Sequence, residues 1–289
     1  MVWQQTKLAK SPSCLIPTCN RPKGGTMLHT FQHNGLNFNY YDNQADGPVI
    51  VFQHGLTGDH GQTRSTFIDE HCRLITLNCR GHGGSDLGPV SELNISNFTD
   101  DVMALVDHLK LESVSVAGIS LGAAMSAALA ARYPDRIKSV TLVRPAFFTK
   151  GMPDSQQVHS VVANYIEIYG ADKGLEKFRD TEIFEELSLQ SPDNVSSLVS
   201  MFKIDPERVI PLLRRMTTCD TCFDAELIRK SGIPFRVVGT FYDVIHPISK
   251  AEKICEALEI ECVDIAYPKM LNRKRYNEDI TEIIKSNIF

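Results

Sequence analysis

No run of apolar residues in this chain approaches the roughly 18 that a membrane-spanning helix needs. Residues Met1 to Lys10 lack the apolar centre of a secretory leader. A cytoplasmic protein is therefore expected. The sequence has one tryptophan, no histidine after His246, no internal repeat and no low-complexity tract. Charge of one sign is also scarce: the net charge is −5 with 22% charged residues. That is enough for solubility, and it argues against nucleic acid or an anionic membrane as the main partner. A small molecule is the expected partner, and the sequence assigns no oligomeric state.

The chain has 289 residues, of which 43% are hydrophobic. A large core is therefore within reach, and wholesale disorder is excluded. Eight cysteines are present. Several lie inside apolar strand or helix patterns, where a thiol behaves as a small hydrophobe. Cys219 and Cys222 have the spacing of a metal or redox pair, and Cys14 and Cys19 are set wider with no nearby histidine. Free thiols are the reading for an intracellular chain, and neither metal nor cofactor is expected.

Residues 1–26 are polar and rich in proline and glycine, which predicts an irregular lead-in. Alternation from Leu28 to Tyr41 around Asn34-Gly35 predicts a β-hairpin. Strands are then expected at Val49–Phe52, Arg73–Leu77, Ser113–Ala117, Ser139–Val143, Phe235–Gly239 and Cys262–Ala266. Helices are expected at Ile95–Leu109, Leu121–Arg132, Ile248–Leu258 and Arg275–Ile288. Strand–helix repetition of this kind predicts an α/β protein with a mostly parallel sheet flanked by helices. Residues 147–231 read as helical throughout, broken by Pro153, Pro192, Pro206 and Pro211. The predicted division is a core of 27–146 and 232–289 with a helical cap, 147–231, inserted between strands. Such a cap covers the carboxyl ends of strands, where ligands bind in these sheets. Tyr165, Tyr169, Phe178, Phe184, Phe202, Phe147 and Phe148 are expected mainly to pack the cap, with some lining an apolar pocket.

The strongest chemical signal is Gly118-Ile119-Ser120-Leu121-Gly122, set between a buried strand and an alanine-rich helix. That context turns a Gly-x-Ser-x-Gly string into a nucleophile elbow, a strained turn that lifts the Ser120 hydroxyl to a helix N-terminus. Gln53-His54-Gly55-Leu56 follows the strand ending at Phe52, so the Leu56 N–H can join the Leu121 N–H as an oxyanion hole. His54 is read as a loop brace. Arg80-Gly81-His82-Gly83-Gly84-Ser85-Asp86 is read as a tight structural loop held by Arg80 and Asp86.

Together these segments resemble the α/β-hydrolase superfamily from about residue 28 to 288. The resemblance implies a catalytic acid after the strand Phe235–Gly239, a place filled by Asp243. It also implies a histidine after the last strand, where this chain has Tyr267-Pro268-Lys269 instead. Four arrangements stay open: His246 as base, a desolvated Lys269, His159 folding down from the cap, or no base at all. The expected activity is a carboxylesterase-like serine hydrolysis of an ester, thioester or related carbonyl bond in a small organic molecule. Ser120, Asp243 and His246 are the assigned triad, with no cofactor. A binding protein without activity and a lyase or acyltransferase on the same scaffold are the alternatives. Epoxide or haloalkane chemistry is disfavoured, because it uses a carboxylate nucleophile.

Overall fold

A computed structural model describes residues 27–146, 156–261 and 263–289. The expected lead-in at 1–26, the residues Phe147, Phe148 and Pro153, and Cys14, Cys19 and Cys262 lie outside them. The chain opens with an antiparallel hairpin, β1 (Leu28–His33) and β2 (Leu36–Asp42). Asn34 and Gly35 turn it, both at positive φ (47° and 76°), the backbone twist that two-residue hairpins require.

Parallel strands follow: β3 (Val49–Gln53), β4 (Arg73–Leu77), β5 (Val114–Ile119), β6 (Ile137–Val143), β7 (Phe235–Thr240) and β8 (Asp264–Ala266). The eight-stranded sheet runs β1-β2-β4-β3-β5-β6-β7-β8, antiparallel at β1–β2 and β2–β4 and parallel elsewhere.

Both faces of the central strands are buried, so their sequences are mostly apolar rather than alternating, with Gln53 and Ser115 as buried polar exceptions. Val51, Val116, Val140, Leu142 and Val237 face one side, where α2 (Ile95–His108), α3 (Leu121–Arg132) and α10 (Ile248–Leu258) pack. Ile50, Phe52, Ala117, Ile119, Val143 and Val238 face the other, beneath α11 (Arg273–Ser286) and its Tyr276, Ile280 and Ile284. Each fully buried Phe, Ile or Leu in these layers contributes about 1.5–3 kcal/mol of transfer free energy. The short helix α1 (His60–Thr66) on the α11 side carries no apolar period, and it was not expected from the sequence.

Between β6 and β7 lie α4 (Gln157–Tyr169), α5 (Ala171–Arg179), α6 (Glu182–Gln190), α7 (Pro192–Met201), α8 (Pro206–Met216) and α9 (Ala225–Ser231). The helices α4–α8 share a small core of their own around Phe178, Leu198, Val209 and Leu213. α9 packs instead on α3 and α10 through Ile228, although the sequence grouped it with the insert. The prolines behave differently from breakers. Pro192 and Pro206 open α7 and α8, where the missing N–H has no intrahelical partner to lose. Pro211 lies inside α8, which survives because Val209, Leu212, Leu213 and Met216 are buried on one face.

Candidate active site

Ser120 sits alone between the end of β5 and the start of α3, at φ 55° and ψ −107°. A non-glycine residue there costs on the order of 1–3 kcal/mol and persists only where its surroundings enforce it. The enforcing contacts are close ones. A Cβ on Gly118 would lie 1.9 Å from the Gly122 carbonyl oxygen, and one on Gly122 would lie 2.3 Å from the Gln53 carbonyl oxygen. Two glycines therefore let β3, β5 and α3 meet at the bend. The Ser120 N–H donates to the Val143 carbonyl at 3.0 Å, which fixes the bend to β6.

The loop between β7 and α10 brings Asp243 and His246 to this serine. His246 Nε2 is 2.9 Å from Ser120 Oγ, and His246 Nδ1 is 2.9 Å from Asp243 Oδ1. The network assigns the tautomer: Nδ1–H donates to the carboxylate, and Nε2 faces the hydroxyl as an acceptor. Arg144 Nη2 also lies 3.2 Å from Nδ1, but a nitrogen that is donating to Asp243 cannot accept from a guanidinium.

Three other elements hold the loop. Arg144 Nε donates to Asp243 Oδ2 at 2.5 Å from the end of β6. Asn194 of α7 donates to Asp243 Oδ1 at 3.0 Å and accepts the N–H groups of Val244 and Ile245 at 2.9 and 3.0 Å. Gln156 donates to the Ile245 carbonyl at 2.8 Å. Burial opposes charge on Asp243, but Arg144, His246 and Asn194 overcome it and hold the carboxyl well below its ordinary range. Burial lowers the pKa of His246 below its ordinary 6.5, with Arg144 adding to the effect and Asp243 opposing it. A neutral imidazole backed by a carboxylate is the protonation state a general base needs.

The other candidate bases are placed differently. His54 and His82 are braces, as read for the Gly-rich loops. His54 accepts from the Cys79 N–H at 3.1 Å through Nε2, and its Nδ1 pairs with the Gly55 carbonyl at 2.8 Å. His82 accepts from the Thr57 N–H at 3.0 Å, and its Nδ1 pairs with the Arg80 carbonyl at 2.8 Å. Arg80 itself reaches Asp101 and Glu92, while Asp86 accepts from Asn37. His159 lines the Ser120 cavity but spends Nδ1 on the Gln156 carbonyl at 3.1 Å. Lys269 lines the cavity too, with its ammonium 2.5 Å from Asp193.

Burial lowers His54 and His159 to about 4 and His82 to about 3. The folded chain takes up these protons less readily than the unfolded chain. The stability they contribute is therefore complete above the ordinary histidine value near 6.5 and is lost as pH falls toward 4 and 3. Each group's full share is on the order of 3–5 kcal/mol. The urea midpoint should fall steadily below pH 6.5, and one that is level from pH 7 to 4 would contradict these burials.

Gly55 brings its loop close to the elbow, since a Cβ there would lie 3.6 Å from Ser120 Cβ. Its N–H donates to Gln62 Oε1 at 2.7 Å, which ties the loop to α1. Leu56 lines the cavity beside Ser120, and Leu121 is the first residue of α3, where an N–H has no carbonyl one turn earlier to bond. The cavity has a volume of about 60 Å³ and a largely polar wall that includes Arg144, Gln156, Asn194 and Ser197. None of Tyr165, Tyr169, Phe178, Phe184 and Phe202 lines it. Among the described aromatics internal packing is seen instead: Phe178 lies 5.5 Å from Phe184 and 5.6 Å from Phe202, ring centre to ring centre. Phe178 and Phe202 are buried in the insert's own core with Val162, Leu198, Val209 and Leu213.

Arg144, Asn194 and Gln156 were not anticipated as site residues. A charged residue directly after a buried strand was the available signal for Arg144. Asn194 and Gln156 left none, since each is one polar residue on an amphipathic helix. Cys219 and Cys222 lie between α8 and α9 with no disulfide joining them.

A family profile described as alpha/beta hydrolase fold matches residues 48–165, a span that includes Gly55, Leu56 and Ser120 but ends before Asp243 and His246. Over 119 residues the chain is 31% identical to 3-oxoadipate enol-lactonase 2 of Acinetobacter baylyi, covering 40% of this chain and 44% of that protein. Over 102 residues it is 31% identical to 2-(acetamidomethylene)succinate hydrolase of Mesorhizobium japonicum, covering 35% and 36%. The chain thus matches less than half the length of these curated relatives. Among solved structures, a thermophilic esterase from Thermogutta terrifontis superposes with a TM-score of 0.68 at 19% identity, covering 91% of this chain and 98% of that one. An enol-lactonase from Burkholderia xenovorans superposes with a TM-score of 0.67 at 20% identity, covering 89% and 100%.

Proposed function

This chain belongs to the α/β-hydrolase fold superfamily, and we propose that within it the protein is a serine hydrolase that cleaves an ester, lactone, thioester or related carbonyl bond of a small organic molecule. The carrying observation is the contact line Ser120 Oγ–His246 Nε2–Asp243, at 2.9 Å for each step. In this reading His246 takes the Ser120 proton as Oγ attacks the carbonyl carbon. Asp243 holds the ring in the required tautomer and balances the imidazolium that forms. The N–H groups of Leu56 and Leu121 receive the oxyanion. His246 then protonates the leaving alcohol, and a water activated by the same nitrogen releases the acyl group from Ser120. The helices α4–α8 act as the cap, and Asn194 links it to the acid–base loop.

The base thus comes from the acid's own loop, three residues on, rather than from the turn after the last strand. The relatives named for enol-lactone and amidomethylene-succinate hydrolysis support carbonyl hydrolysis of small acids. The reading as a binding protein without activity draws on the missing late histidine, and the 2.9 Å contact of His246 with Ser120 favours the hydrolase reading over it.

A serine-directed fluorophosphonate tests the reading. The expected result is one adduct mapped to Ser120, together with turnover of short-chain 4-nitrophenyl esters. Absence of both overturns it. The pH profile carries a second expectation. His246 must be neutral to accept a proton, so kcat/KM falls as pH drops, with its inflection below 6.5. An acid limb well above 7 would instead assign the base to Lys269, whose pKa burial lowers from 10.5.

A further inference from the structure

A second cavity of about 290 Å³ adjoins the Ser120 cavity and shares Gln62, Ile119, Arg144 and Lys269 with it. Its remaining wall includes Arg273, Tyr276 and Asn277, and among the described residues no carboxylate lines it. Three cations thus face one space beside the candidate nucleophile. Their counter-charges lie outside that wall: Arg144 pairs with Asp243, and Lys269 and Arg273 share Asp193 at 2.5 and 3.6 Å. Three positive groups against two carboxylates leave one unit of positive charge at the cavity. Burial and the nearby Arg144 and Arg273 push the Lys269 ammonium below its ordinary pKa against the pull of Asp193, as expected of crowded cations.

The neutral groups point the same way. Tyr276 is buried with Arg144 beside its hydroxyl, and because a guanidinium can only donate, the O–H has no acceptor among the described residues. A buried O–H without an acceptor is costly, and a ligand carboxylate in this cavity would supply one. Gln62 spends Oε1 on the Gly55 N–H, which leaves its Nε2 as a further donor.

We propose that this cavity receives a carboxylate of the substrate while the scissile carbonyl sits at Ser120, so that the enzyme acts on esters or lactones of dicarboxylic or hydroxy acids that keep a free carboxylate. The proposal rests on the hydrolase reading and narrows its substrate class. Arg273 has most freedom to close on the anion, since its side chain is 66% exposed and its ion pair is long. Charge-assisted hydrogen bonds in a partly buried site are each worth about tenfold to a hundredfold in affinity.

Two ester pairs test this. One is 4-nitrophenyl hydrogen glutarate, with the carboxylate on the acyl side. The other is 4-acetoxybutanoate, with the carboxylate on the alcohol side. Each is compared with its own methyl ester, and binding of glutarate itself is measured by calorimetry. We expect at least one anionic member to have kcat/KM about tenfold above its methyl ester. Arg273→Gln should cut that preference and the glutarate affinity by about tenfold, and Arg273→Lys should restore part of both. Equal turnover within both pairs, with no glutarate binding, overturns the carboxylate site and leaves the hydrolase reading standing. Glutarate binding that depends on Arg273, with no ester hydrolysed and no fluorophosphonate adduct on Ser120, supports the anion site and overturns the hydrolase reading.

Discussion

Ser120→Ala, His246→Ala and the double variant are expected to fall to nearly the same residual rate. That floor should lie about ten-thousand- to a million-fold below the parent kcat, since a nucleophile and its base act as one unit. The expectation comes from the 2.9 Å contact between Ser120 Oγ and His246 Nε2. His54 and His82 have both ring nitrogens engaged with backbone groups, so neither can take over. Lys269→Met removes a cavity cation but no proton acceptor. On neutral esters it should cost about tenfold or less, the worth of one ordinary polar contact. Steady-state kinetics on a neutral 4-nitrophenyl ester and fluorophosphonate labelling read the series. A His246→Ala protein that retains a tenth of parental kcat would remove His246 from the base role. A Lys269→Met protein that matches the Ser120→Ala floor would put Lys269 there.

Asp243→Ala should damage folding as well as rate. The Asp243 and Arg144 side chains are 3% and 8% exposed, so neither ion is solvated by water in the folded state. Removing the carboxylate leaves the guanidinium buried without its counter-ion, a change that costs about 3–5 kcal/mol. The same truncation takes the acceptor away from Asn194 Nδ2 and from the His246 N–H. A drop in Tm of about ten degrees follows for a chain of this size. Turnover should fall by about ten-thousand-fold, because the imidazole loses its tautomer and its charge balance. The double variant Asp243→Ala with Arg144→Met separates the two effects. It replaces the ion pair with apolar atoms, so much of the lost stability should return while activity does not. Recovery of activity together with stability would show that Asp243 acts only through folding.

Much of the sheet was legible because a parallel strand covered on both faces is a short continuous apolar run. Arg73–Leu77 and Leu121–Arg132 coincide with β4 and α3. Helix α1 was not legible, since its seven residues carry no apolar stripe and depend on the Asp59 cap and contacts with α11. The insert was legible as helical but not as to what its aromatics do. Helical period says that a face is buried, and it is silent on whether neighbouring helices or a ligand cavity bury it.

The amino-acid sequence by itself determined Ser120 and its bend. Every condition for that bend is local: two glycines flanking the serine within five residues, a buried strand before and a small-residue helix after. The hairpin at Asn34-Gly35 is determined in the same way, by turn residues that tolerate positive φ. Only the tertiary structure decided between His246, Lys269 and His159 as the neighbour of Ser120, because that choice turns on groups far apart in the chain. His246 meets a serine 126 positions away, and its loop is held by Arg144 and Asn194, which lie 99 and 49 positions from Asp243. Spacing along a chain records local backbone preference. Which side chains converge is set by how the layers pack, and the cavity of cations beside Ser120 exists only once α11 has closed over the sheet.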